Sequence, residues 1–353
     1  MTQDAATSLV TDLRNSEFPY ARSWIDRLIQ RISRIPVPSW LFYVAVISAI
    51  ALLNNAVFWV DGSLAAGSIN SQRVADSGYI VFFVALYHHL SLVARRSFQV
   101  YRPVLKSPDP DLRILEYRLT TLPRRLGWLA IVLGIGLGIV VVQSDPGPFG
   151  LDAAMTLLPV IYQHAAMIFV LSSMITLILQ TIRQLRLVND LHRQASQINL
   201  FRLAPVHALA SLTARAGIGL VAFIAFNGLV EGLNVTGSNL FALIVMGILA
   251  ILVFIAPLLG MRNRLKDEKA RLLSETNEAI QVTIGRIQNR VNSNEYENIS
   301  GLNIAMSALV VQRDLVKGIS TWPWEPSTLS GFASTLLLPI FLWLVTRLLE
   351  RLI

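Results

Sequence analysis

Residues 40–60 read WLFYVAVISAIALLNNAVFWV, twenty-one positions without a formal charge, with two adjacent asparagines near the far end. A run of about 20 apolar residues is what an α-helix needs to cross the roughly 30 Å hydrocarbon layer of a bilayer. Comparable runs recur at 77–94, 126–142, 153–182, 206–230, 240–259 and 329–345. The chain therefore reads as an all-α, polytopic transmembrane helix bundle of about seven spans. Composition agrees. Of the 353 residues 54% are hydrophobic and only 15% charged, and mean hydropathy is +0.55, whereas soluble domains carry roughly 25% charged residues.

Basic residues orient the spans. Residues 1–39 hold five arginines, and the connectors 95–125, 183–205 and 260–325 hold eight, four and nine Lys plus Arg, while 61–76, 143–152 and 231–239 together hold only Arg73. The positive-inside bias then puts the N-terminus and the basic connectors in the cytoplasm of a multi-pass cell-membrane protein. Net charge is +8 and pI about 10.1. With the basic residues flanking spans, that charge implies contact with anionic lipid headgroups and argues against nucleic acid as a partner. The polar start of the chain shows no cleavable signal pattern. The chain contains no cysteine, which excludes disulfides, thiolate-held metals and thiol catalysis.

Four parts follow from this reading. Residues 1–37 form a cytoplasmic segment in which Trp24, Ile25, Leu28, Ile29, Ile32 and Ile35 share one face of an interfacial amphipathic helix. Residues 38–260 form a six-span bundle. The connector 95–125, interrupted by Pro103, Pro108 and Pro110, reads as a loop near the lipid surface. Residues 261–320 read as a cytoplasmic antiparallel helical hairpin, because Ala270, Leu273, Asn277, Ile280, Ile284, Ile287 and Val291 keep the three- and four-residue steps of a coiled-coil seam with a single polar Asn inside it. Asn277, Ile280, Ile284, Ile287 and Val291 are thus candidates for homo-oligomerisation. Residues 321–353 hold the last segment, where Trp322 and Trp324 look like an interfacial anchor. Pro339 and the basic end leave two readings for it, crossing or re-entrant.

No Ser/His/Asp set, HExxH motif or paired intramembrane carboxylate can be assembled, so an enzyme is not expected. Gly134, Gly136 and Gly138 lie inside an apolar span with no lysine after them. They read as a small-residue helix contact rather than a phosphate loop. Asn234 and Thr236 match a glycosylation triplet that arises often by chance. No cofactor is expected; the one alternative is a b-type haem held by His89 and His164 on two spans.

Polar residues at membrane depth are the remaining candidates, since lipid does not solvate them. Asn54, Asn55, Gln163, His164, Arg215 and Asn227, with Glu231 near a span end, could line a pore or cavity. They point to an oligomeric channel or transporter for ions or small solutes. The alternative is a non-transporting scaffold or signalling subunit that presents the hairpin to a partner. The scarcity of buried acids argues against a proton- or sodium-coupled pump.

Overall fold

The computed structural model describes residues 18–105, 109–144, 155–194, 200–201, 203–230, 237–293, 299–325 and several positions between 327 and 345. Glu231, the 234–236 triplet and seven positions of 329–345, Pro339 among them, lie outside them. Among the described residues the fold is all-helical, and five helices are long and apolar enough to cross a membrane.

The elements are α1 (Trp24–Ile32), α2 (Ser39–Asp61), α3 (Ser71–Tyr101), α4 (Asp109–Thr120), α5 (Arg124–Ser144), α6 (Leu157–Gln194), α7 (Ala204–Val230), α8 (Gly237–Asn292) and α9 (Ile299–Gly318). The five span candidates are α2, α3, α5 and most of α6 and α7. Their boundaries follow from local chemistry. Gly62, at φ 82°, ends α2 in the left-handed region, where a side chain would be strained. Asn70 opens α3 by accepting from the amides of Gln72 and Arg73, the usual service of an N-cap side chain. The prolines at 103 and 110 do break the 95–125 connector, but it is not a loop. A 3-10 turn, Arg102–Val104, follows α3, and α4 then begins with Pro110 in its first turn, where the missing N–H has no helical partner to lose.

Helix α3 stands at the centre, packing against α2, α4, α6 and α7. Phe83, Tyr87, Leu90, Ala94 and Phe98 on it join Leu177 and Leu191 of α6 and Leu209 and Leu212 of α7 in one buried core. The closest pair is α5 with α6. A Cβ at Gly134 would come within 2.8 Å of the Ser172 backbone, and one at Gly138 within 3.0 Å of the Ile168 Cα. Only glycine permits that approach, which is the small-residue contact the sequence implies.

Helix α1 departs from its expected setting. Its capping box is complete, with Ser23 and Asp26 serving each other's backbone amides. The apolar face, though, does not wait for lipid: Ile25 is fully buried, and Trp24, Leu28 and Ile29 pack on the same core. Pro123 pairs with Arg22 in an isolated β-bridge, and Gly127 leaves room for Ser23, which a Cβ there would meet at 2.9 Å. The tryptophans near the C-terminal segment are also held by protein, since Trp324 is buried and Trp322 stacks on the Arg262 guanidinium at 3.9 Å.

Helix α8 runs without a break from the apolar stretch 240–259 into the charged region beyond it. Helix α9 returns along it antiparallel. Lys269 donates to the carbonyls of Lys317 and Ile319, both at 2.7 Å, capping the negative end of α9 with a cation.

Candidate functional site: a polar stripe through the bundle

The two asparagines that open the sequence argument are buried, and each is bound to backbone. Asn55 donates to the Ala51 carbonyl at 2.8 Å and accepts from the Asn70 amide at 2.9 Å. Asn54 donates to the Arg73 carbonyl at 2.9 Å. The Trp59 indole donates to Ser68 at 2.7 Å, and the Arg73 guanidinium lies over the Phe58 ring. Together these contacts clasp the turn between α2 and α3. Asp61 extends the clasp by accepting from the amide and hydroxyl of Thr156, just before α6. Asn54 and Asn55 thus tie one end of the bundle together through their side-chain amides.

Helix α6 is different. Ser173, Thr176, Gln180 and Gln184 follow each other at three- and four-residue steps, so they share one face, and all four are buried. Gln163 is buried on the same helix nearer the clasp. Three of these five side chains keep an atom without a protein hydrogen-bond partner: Gln163 Nε2, Ser173 Oγ and Gln180 Oε1. Buried polar atoms in native folds nearly always find partners, from protein or from water. The shared face runs from Ser173 to Gln184, about 17 Å of helix, while Gln163 stands about 15 Å before Ser173 and roughly 80° round the helix from it. Asn54 Oδ1, buried and also unpartnered, belongs to the same end as Gln163. Ser172 Oγ is a separate case: it faces Gly134 across the tight α5–α6 contact, where a Cα–H group can serve as a weak donor.

At its other end the stripe reaches a polar knot that sequence reading missed. Gln180 and Gln184 both donate to the Leu119 carbonyl, at 3.1 and 2.9 Å. Leu119 and Leu122 are fully buried, so this turn must satisfy its backbone groups internally. Thr121 O accepts from Tyr20 and from Arg183, each at 3.1 Å. Leu122 N–H donates to Asp26 Oδ2 at 3.0 Å, and Leu122 O accepts from Ser23 N at 3.0 Å. Asp26 further accepts from the Ser23 hydroxyl at 2.6 Å and from the Tyr87 hydroxyl at 2.8 Å. Burial pushes the Asp26 carboxyl above its ordinary range, against the pull of those donors. Asp26 is thus a buried acid at this end of the bundle, on α1 and outside the five span candidates. Asp26 was hidden because a capping residue looks like local helix chemistry. Its tertiary donors, Tyr87 and Leu122, lie 61 and 96 residues away.

The other sequence candidates are dispersed. His164 bonds the Val160 carbonyl of its own helix at 2.8 Å, and Asn227 reaches the Tyr79 hydroxyl at 3.2 Å. Arg215 is exposed on the outside of α7, within electrostatic range of the exposed His89. The haem alternative fails on height. The starts of α3 and α6 lie at the clasp end, and from them His89 is about 27 Å along its helix while His164 is about 10 Å along its own. Two axial ligands of one iron cannot stand that far apart. Among the described residues no group of three or more His, Cys, Asp or Glu side chains could hold a metal ion. Comparison with family models, curated proteins and solved structures gives no match for this chain.

Proposed function

We propose that this protein is a cell-membrane channel or transporter for a small ion, with the proton as the best-fitting species, and that α6 carries the path. The sixth and seventh spans are 240–259 of α8 and 329–345, the N-terminus is cytoplasmic, and the α8–α9 hairpin projects into the cytoplasm. The observation that carries the reading is the set of unpartnered buried atoms on Gln163, Ser173 and Gln180. Side-chain amides and hydroxyls exchange hydrogen bonds with water without binding it permanently, which suits passage along a line of partners. Asp26 and Tyr87, hydrogen-bonded at the cytoplasmic end, add groups that can give and take a proton.

Reconstitution into vesicles with an internal pH dye and an imposed gradient tests this. Wild type should collapse the gradient faster than empty vesicles, and Ser173→Ala, which removes the hydroxyl without adding volume at this buried position, should slow it at least several-fold. Wild-type vesicles no faster than empty controls to protons, sodium, potassium or chloride would remove the transport reading and leave the membrane scaffold.

A further inference from the structure

The seam written into 270–291 serves α9 with only half of its positions. Ile280 is buried and Leu273 and Ile287 are partly covered, whereas Ala270, Asn277, Ile284 and Val291, each seven residues from the next, stay exposed. Leu265 and Leu272 pack instead in a small cluster with Leu200, Val206, Met261 and Ile319, the residue just after α9, and Thr276 is buried above them. One of the two heptad lines is thus in use and the other is open.

We propose that the open line pairs with the same line of a second copy, parallel and in register, with Asn277 opposite Asn277. Three observations choose this occupant. The residues beside the line are Ser274, Gln281 and Gln288, so an exposed strip about 32 Å long carries no charge, while Arg271, Glu275, Glu278 and Arg286 stand exposed elsewhere on the helix. Two identical charged strips would repel each other; two identical neutral ones do not. A lone asparagine in an apolar heptad line bonds best to its own equivalent, and so fixes both register and partner number. Finally, α8 is one continuous helix from 237 to 292. If 240–259 is embedded in the bilayer, two copies necessarily present their stalks with the same polarity and at the same height. The interface is then isologous, each copy offering the same surface.

This inference rests on the membrane placement of α8, not on transport. Because the chain has no cysteine, single cysteines can be placed at Asn277, Ile284 and Val291, with Glu275, Glu278 and Gly285 as off-strip controls, and oxidised in native membranes. The proposal expects a disulfide-linked species of twice the chain mass at the three strip positions and at least tenfold less at the controls. Absence of dimer at all strip positions overturns it. So does equal linkage at strip and control positions, a Asn277→Cys with Val291→Cys cross-link exceeding both self-links, or linkage only to a protein of different mass. Dimers without ion flux would keep this pairing and remove the transport reading; flux without dimers would do the reverse.

Discussion

The clasp end of α2–α3 and the buried face of α6 are both polar and both buried, yet they differ in how their hydrogen bonds close. Asn55 meets a carbonyl with its amide and an N–H with its oxygen, so nothing outside the chain is required. Gln180 gives its amide to Leu119 and keeps a buried oxygen unpartnered. A polar residue in a span is therefore not in itself a sign of a path. Asn55 closes its pairs within the chain, whereas Gln163, Ser173 and Gln180, like Asn54 at the clasp, keep a buried atom that only a partner such as water could satisfy.

The largest effect that would sharpen this contrast is expected at the knot. Asp26→Leu removes the acceptor of the Ser23 and Leu122 amides and of the Tyr87 hydroxyl. With stranded donors at about 1–3 kcal/mol each, it should destabilise by roughly 3 kcal/mol or more, read as a large fall in unfolding temperature in detergent. At the clasp, Asn55→Leu should destabilise by about 1–3 kcal/mol while the surviving folded protein keeps its flux per molecule. A clasp variant that stays stable but loses flux would erase the distinction. On α6, Gln180→Leu should change stability by less than about 1 kcal/mol, because Gln184 still serves Leu119 O and an unpartnered oxygen is removed. Its flux should fall at least tenfold. The smallest effect is the pH slope. With its folded carboxyl raised by burial, Asp26 contributes stability that is fully present below the ordinary carboxylate value and lost as pH rises through the folded value. Asp26→Asn should flatten that slope in unfolding profiles taken from acid to neutral pH, and an unchanged slope would place the titration elsewhere.

Much of this fold was legible from hydropathy because bilayer thickness imposes a length. The five helices fall on five of the apolar runs, and the glycines at 134 and 138 announce their close contact. The site was less legible. Asn54, Asn55 and Arg215 stand out because they interrupt apolar sequence, yet two of them serve backbone and the third is exposed on α7. Ser173 and Thr176 are mild residues in hydropathy and were passed over, and Gln184 lies just beyond the apolar run 153–182. What unites them is a shared helix face and a common burial, and burial depends on which helices pack against α6. The stalk seam was visible as a period. Which half of it α9 would cover depends on the rotation of one helix against another, which a period does not encode.

The central claim is that the α6 stripe is reached by water. A single cysteine replacing Ser173 in this cysteine-free chain tests it most directly, through reaction with a small charged thiol reagent in sealed vesicles and with a hydrophobic reagent as a folding control. The account predicts modification by the charged reagent at a rate well above that of a cysteine at Ala130, which is fully buried on α5. Equal inertness of the two positions toward the charged reagent would contradict it and return the α6 face to ordinary dry packing.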